Sequence, residues 1–236
     1  MKRSALVGVA ALSLLDIAAG TAEAQNFGGA YVGAHAGYRW VDMDMATPAY
    51  SFSALGSTFN VPARDETFKP SGMIFGLHTG YNLMITPVFL LGVESDITGA
   101  LGSDDRSTRI LATDGGSTAL RYTDVRLGAQ GTVRVRAGVV TGPTLIYLTG
   151  GVAFADFKWN DTITFGTTVT ASKSEILTGW TIGGGVEAFV TLNATVRLEY
   201  LYEDFGSVSV PLARTTKEGE VDVTAHKLRV GVSYKF

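Results

Sequence analysis

From Leu228 to Phe236 the chain alternates strictly. Leu228, Val230, Val232, Tyr234 and Phe236 are apolar, while Arg229, Gly231, Ser233 and Lys235 are polar or small. A β-strand sends successive side chains to opposite faces, so this segment carries one apolar and one polar face. Seven further segments repeat the pattern. The predicted strands span residues 30–42, 73–83, 88–98, 123–140, 145–157, 177–189, 195–204 and 225–236. In the fourth, Val125, Leu127, Ala129, Val133 and Val135 stand opposite Arg126, Gln130, Thr132, Arg134 and Arg136. Eight amphipathic strands restrict the fold to an antiparallel sheet, stacked or closed, with one apolar surface throughout.

The N-terminus decides which side that surface faces. Lys2 and Arg3 precede an apolar run from Ala5 to Leu15, and Ala22-Glu23-Ala24 forms a small-x-small site before Gln25. These are the three parts of a secretory signal peptide, with cleavage expected after Ala24 and residues 25–236 forming one barrel domain. The apolar run is too short to span hydrocarbon as a helix. Removal of residues 1–24 leaves 17 basic and 20 acidic residues and the same net charge of −3 as the full chain. No nucleic-acid footprint follows from that balance. There is no cysteine, so an exported chain of this kind relies on packing and backbone pairing. Only 17% of residues are charged, against about 25% in a typical soluble domain.

No mature segment reads as a membrane helix. Residues 137–155 carry no charge, but Thr141-Gly142-Pro143-Thr144 divides them with a turn signal. Connections alternate in length: 84–87, 141–144 and 190–194 are short, whereas 45–72, 99–121, 158–176 and 205–224 are long and rich in Ser, Thr, Asp and Gly. Short turns on one side and long loops on the other describe an eight-stranded antiparallel transmembrane β-barrel with short periplasmic turns and long extracellular loops. Tyr38, Trp40, Tyr122, Phe154, Trp180, Tyr200 and Tyr202 fall near the loop ends of outward faces, and Tyr81, Phe89, Tyr234 and Phe236 near the turn ends. Two such bands match interfacial aromatic girdles.

If the apolar faces meet lipid, the opposite faces line the interior. That interior is expected to hold Glu94, Arg134, Arg136, Glu187, Arg197, Glu199 and Arg229, three acids and four bases that must pair with one another. Glycines such as Gly33, Gly37, Gly76 and Gly80 share these faces and leave room for long side chains. An eight-stranded barrel is just wide enough for side chains to fill, so a plugged polar core is expected in place of an open pore.

Several segments resemble the small outer-membrane β-barrel family of Gram-negative bacteria. This family includes the barrel of outer membrane protein A, the opacity-type surface proteins and the porin-family antigens of alphaproteobacteria. The segments are Tyr31-Val32-Gly33-Ala34-His35-Ala36-Gly37-Tyr38, Gly92-Val93-Glu94-Ser95-Asp96, Val133-Arg134-Val135-Arg136-Ala137-Gly138, Gly179-Trp180-Thr181-Ile182-Gly183-Gly184-Gly185-Val186-Glu187, Arg197-Leu198-Glu199-Tyr200-Leu201-Tyr202 and Tyr234-Lys235-Phe236. The resemblance implies an integral protein of the cell outer membrane, surrounded by lipid and lipopolysaccharide. It also implies insertion by the barrel-assembly machinery, for which Tyr234 and Phe236 would serve as the signal.

A structural or surface-display role needs no special residues. A small-solute channel, a ligand- or host-binding barrel and a lipid-modifying enzyme are the alternatives. The histidines His35 and His78 are expected to face inward on neighbouring strands with no serine beside them, so a polar pair filling the interior is expected and no catalytic residue is assigned. His35 and His78 could in principle ligate a metal or haem, but two histidines without a third ligand are a weak signal, and no metal site is assigned. No cofactor is assigned either: Gly183-Gly184-Gly185 sits within a strand and opens no helix, so it is not a dinucleotide fingerprint. The partner of the extracellular loops is not identified by the sequence.

Overall fold

In the computed structural model the chain is described over residues 26–54, 56–102, 104–114 and 117–236. The expected signal peptide, residues 1–24, lies outside the described residues. The strands are β1 (Gly29–Thr47), β2 (Tyr50–Ala54), β3 (Ser57–Val61), β4 (Arg64–Phe68), β5 (Gly72–Met84), β6 (Phe89–Leu101), β7 (Asp104–Asp114), β8 (Ser117–Thr141), β9 (Thr144–Phe165), β10 (Thr167–Phe189), β11 (Ala194–Pro211) and β12 (Glu218–Lys235).

Eight of them form a ring in the order β12-β11-β10-β9-β8-β6-β5-β1, and β1 closes it by pairing with β12 from Tyr31↔Lys235 to Ala46↔Glu220. Every pairing in the ring is antiparallel. Closure leaves no edge strand, which is what lets a sheet cross hydrocarbon with its backbone polar groups satisfied. All eight predicted strands are present, and the turn at Thr141–Thr144 divides β8 from β9 as expected. The other short turns are held by Ile85 N donating to Phe89 O (2.9 Å) and Val190 N to Ala194 O (2.9 Å).

The predicted faces hold at the level of the membrane. Val32, Leu77, Val93, Val135, Leu148, Ile182, Leu198 and Val230 are exposed on the outer surface, and every charged residue expected inside is buried. Both aromatic bands also lie outward: Tyr38 contacts Trp40 at 5.0 Å between ring centroids at one end, and Tyr234 contacts Phe236 at 5.3 Å at the other. The glycines make the interior possible. At Gly33 an added Cβ would lie 2.2 Å from Val232 O and 2.3 Å from His78 Nε2, so His78 occupies the space that any other residue would fill.

Two expectations need correction. The first concerns the fourth predicted strand. A bulge between Leu127 and Gln130 shifts the register by one residue. Above it Val125 and Leu127 point inward and Arg126 outward, the reverse of simple alternation. The bulge also frees Leu127 O to accept Arg39 Nη2 at 2.6 Å.

The second concerns the long connections, which are mostly strand. β9 and β10 run on to a hairpin at Gly166, whose φ of 65° needs no Cβ. At 22 and 23 residues they are about twice the roughly 9–11 residues that cross a bilayer. The segment 45–72 contains the β2–β3 hairpin and β4, β7 adds to β8, and β11 and β12 extend upward past a bulge between Asp204 and Ser207. Their inner faces are apolar. Met43, Met45, Phe52, Phe59, Phe157, Trp159, Ile163, Val208, Val210, Val221 and Val223 form one buried cluster. This water-exposed extension is therefore an ordinary β-domain with its own core, standing on a membrane barrel. The alternation Phe157, Trp159, Ile163, Phe165 was visible in the sequence but broken by Asp161, and the polar outer face read as loop.

At the opposite end Phe27 lies across the barrel mouth, packed with Leu90, Leu145 and Tyr147. Its carbonyl accepts Asn82 Nδ2 at 2.8 Å and Lys235 Nζ at 2.9 Å.

Two substitutions check this architecture. Gly33→Ala should destabilise the folded barrel by about 1–3 kcal/mol through overpacking, whereas Gly131→Ala, whose Cβ meets nothing closer than Asp96 O at 3.5 Å, should not. Urea unfolding in lipid vesicles reads both. By the same measurement, Val135→Arg on the lipid face should cost about 2–4 kcal/mol if that face is at the bilayer midplane.

Candidate functional site: the charged barrel interior

Neighbouring strands bring the interior charges to a few shared levels. Glu94 on β6 pairs in register with Arg134 on β8, Glu199 on β11 with Arg229 on β12, and Glu187 on β10 with Arg197 on β11. Because the polar face of each strand points into the same narrow lumen, side chains from opposite walls also meet.

Glu94 is the hub. It forms ion pairs with Arg134 and with Arg197 at 2.5 Å, lies 3.6 Å from both Arg136 and Arg229, and accepts the Tyr31 hydroxyl at 2.7 Å. Arg134 also reaches Asp96 and Glu199, each at 3.1 Å. Arg229 reaches Glu199 at 2.5 Å and Asp96 at 3.2 Å. Arg136 pairs with Glu187 at 2.8 Å and lies over the Tyr147 ring at 4.0 Å. The Thr195 hydroxyl donates to the second Glu187 oxygen at 2.8 Å, and Tyr147 donates to Glu199 at 2.9 Å.

All seven charged residues expected inside therefore join one network. Sequence reasoning omitted Asp96 from the set. It lies two residues beyond Glu94 on the same face, and it balances four arginines with four carboxylates.

A second layer sits above this network. Lys227 Nζ bonds Glu203 at 2.6 Å, Gln130 Nε2 donates to the same carboxylate at 3.1 Å, and Arg39 donates to Gln130 Oε1 at 2.8 Å. This layer marks the boundary. On β1 the next inward residue after Arg39 is Val41, on β11 Phe205 follows Glu203, and on β12 Ala225 precedes Lys227, all buried in the apolar cluster.

His35 and His78 meet inside the barrel, with their Nδ1 atoms 3.4 Å apart and their rings stacked at 5.7 Å. The expectation that no serine lies beside them is wrong. Ser233 Oγ is 2.9 Å from His78 Nε2. The missing signal was register: closure sets Gly33 opposite both Ser233 on β12 and His78 on β5, which no local pattern reveals. The pair is completed by His35 Nε2 at 3.0 Å from the Thr98 hydroxyl, which donates to Asp96 at 3.2 Å. His226, by contrast, lies on the outer surface, bonded to the Tyr200 hydroxyl at 2.7 Å. Among the described residues no group of three or more metal-ligating side chains forms.

Burial sets the energetic weight of the network. Arg134 and Glu199 are 1% exposed, and removing one partner of such a pair typically costs about 3–5 kcal/mol, because the other charge stays enclosed. Exposed pairs such as Lys69–Asp42 are worth about 0–1 kcal/mol. Glu94→Gln should therefore lower unfolding stability by several kcal/mol, and Asp42→Asn by less than about 1 kcal/mol, both measured by urea titration of vesicle-embedded protein.

The chain is similar to several known outer-membrane proteins. The chain is 35% identical to the 22 kDa outer membrane protein of Rhizobium leguminosarum bv. viciae over 169 residues, covering 72% of this chain and 68% of that protein. It is 28% identical to the 25 kDa outer-membrane immunogenic protein of Brucella abortus biovar 1 over 211 residues, covering 89% and 80% respectively. Among solved structures, the outer membrane protein OprG of Pseudomonas aeruginosa aligns with a TM-score of 0.49 at 14% identity, over 91% of this chain and all of that one. Residues 7–236 match the outer membrane protein beta-barrel domain, and the chain belongs to that family of the bacterial outer membrane.

Proposed function

We propose that this protein is a structural and surface-display barrel with a sealed interior, neither a diffusion channel nor an enzyme. The observation that carries the reading is the enclosure of the lumen. A water-filled channel would leave its lining wet, yet Arg134, Arg136, Glu187, Arg197, Glu199 and Arg229 are all at most 2% exposed. Phe27 and its neighbours cover the periplasmic mouth, and the apolar cluster fills the extracellular end. The name of the Brucella relatives, outer-membrane immunogenic proteins, fits a chain whose four hairpins stand outside the membrane.

Among the described residues the Ser233–His78 contact is the arrangement that most favours catalysis, and its surroundings argue against it. Both side chains are buried, and His78 Nδ1 faces His35 in place of an orienting carboxylate. The pair ties β5 to β12 across β1, which is a packing role.

Planar-bilayer recording tests the sealed interior: purified protein should give no steady porin-like current, and a large stable conductance would overturn the reading. Ser233→Ala should leave the lipid composition of an expressing strain unchanged; an altered lipid A acylation pattern on that substitution would restore the enzymatic alternative.

A further inference from the structure

The apolar extracellular core contains a polar pocket lined by arginines. Thr47 on β1 stands opposite Arg64 on β4, and Arg109 on β7 stands opposite Arg121 on β8. The two cross-strand pairs line a cavity of about 180 Å³ together with Val61, Pro62 and Ile110. Like charges placed directly opposite in a ladder repel, so the Arg109–Arg121 pair needs compensation.

The compensation is partial. Arg121 Nε donates to Asp161 at 2.7 Å, and the other Asp161 oxygen is taken by Ala213 N at 2.8 Å. Arg64 and Arg109 share a single oxygen of Glu66, at 3.2 and 3.3 Å. Among the described residues three guanidinium groups thus face two carboxylates.

Two donors remain unused in the buried wall. Arg121 is 5% exposed and Thr47 is 3% exposed, and neither Arg121 Nη2 nor Thr47 Oγ1 finds a hydrogen-bond partner among the described residues. A buried charged N–H without an acceptor is costly to keep, and a fold that keeps one calls for an explanation. At the rim, the Arg64 and Arg109 side chains are partly exposed and reachable from solvent.

We propose that this cavity is an anion site for a phosphate group. Arg121 Nη2 and the Thr47 hydroxyl donate from the buried wall, and Arg64 and Arg109 close on the oxygens from the rim. Guanidinium forks match the oxygens of a phosphate better than an ammonium would. The volume is below that of a pocket for a drug-sized molecule, so it suits one oxyanion or the phosphate end of a larger ligand. The bound anion would neutralise the surplus positive charge and relieve the Arg109–Arg121 repulsion, joining β1 and β4 to β7 and β8.

Equilibrium dialysis with radiolabelled inorganic phosphate, on the full barrel in phosphatidylcholine nanodiscs, tests the site. Arg121→Gln would strand Asp161 and threaten folding, so the rim variants carry the test, each checked by heat-modifiable migration on a gel. Wild type should bind saturably with one phosphate per chain. Arg64→Gln and Arg109→Gln should each weaken binding about tenfold or more, the effect of removing a charge-assisted hydrogen bond. Thr47→Val should weaken it several-fold, and Lys158→Gln, on the exposed outer face, should leave it unchanged. Absence of saturable binding by folded wild type overturns the proposal, as does equal weakening by Arg109→Gln and Lys158→Gln. Added lipopolysaccharide that displaces the label assigns the phosphate to a glycolipid of the outer leaflet. Failure to displace it assigns the site to a soluble phosphate.

Discussion

The surroundings of each strand change from hydrocarbon to water partway along its length, and the rest of the structure answers that change. Within the membrane the outer face must be apolar, so the inner face carries the polar groups and has to satisfy them internally. Outside the membrane the outer face can be polar, and the inner face reverts to an apolar core. The reversal occurs at one level around the ring. Arg39, Gln130, Glu203 and Lys227 form the top layer of the continuous charged network, and Val41, Leu127, Phe205 and Ala225 begin the mainly apolar core above it. No domain boundary is needed, because the same strands and the same ladder run through both halves.

Ring closure makes the polar half affordable. Eight strands leave a lumen narrow enough for arginine and glutamate side chains to meet from opposite walls, and the glycines give them space. Glu94 collects two guanidinium groups at hydrogen-bond distance and two more at 3.6 Å, together with the Tyr31 hydroxyl. In an interior shielded from water, a group of this kind fixes the relative register of β1, β6, β8, β11 and β12. Loss of one member leaves the others enclosed and uncompensated. The same closeness brings Ser233 to His78, tying β12 to β5 across β1.

The extracellular half has the organisation of a small soluble β-domain. Its hairpins bury aromatic and aliphatic side chains from all four connections in one apolar cluster. The pocket between Arg64, Arg109 and Arg121 depends on that packing, since its walls come from strands far apart in sequence.

Alternation determined much of this protein from the sequence alone: the eight staves, their lipid and lumen faces, both aromatic bands and the seven interior charges follow from period-two patterning, because a strand's side chains can point only two ways. Tertiary structure decided whatever depended on which strand met which. The bulge at Leu127–Gln130 inverts the faces above it, and one extra residue leaves no signature in composition. The hairpins of residues 158–176 and 205–224 look like polar loops until their inward residues are seen packed against Met43, Phe52 and Phe59. The Ser233–His78 contact and the arginine pocket arise only on closure, where the backbone ladder, and not local propensity, sets the neighbours.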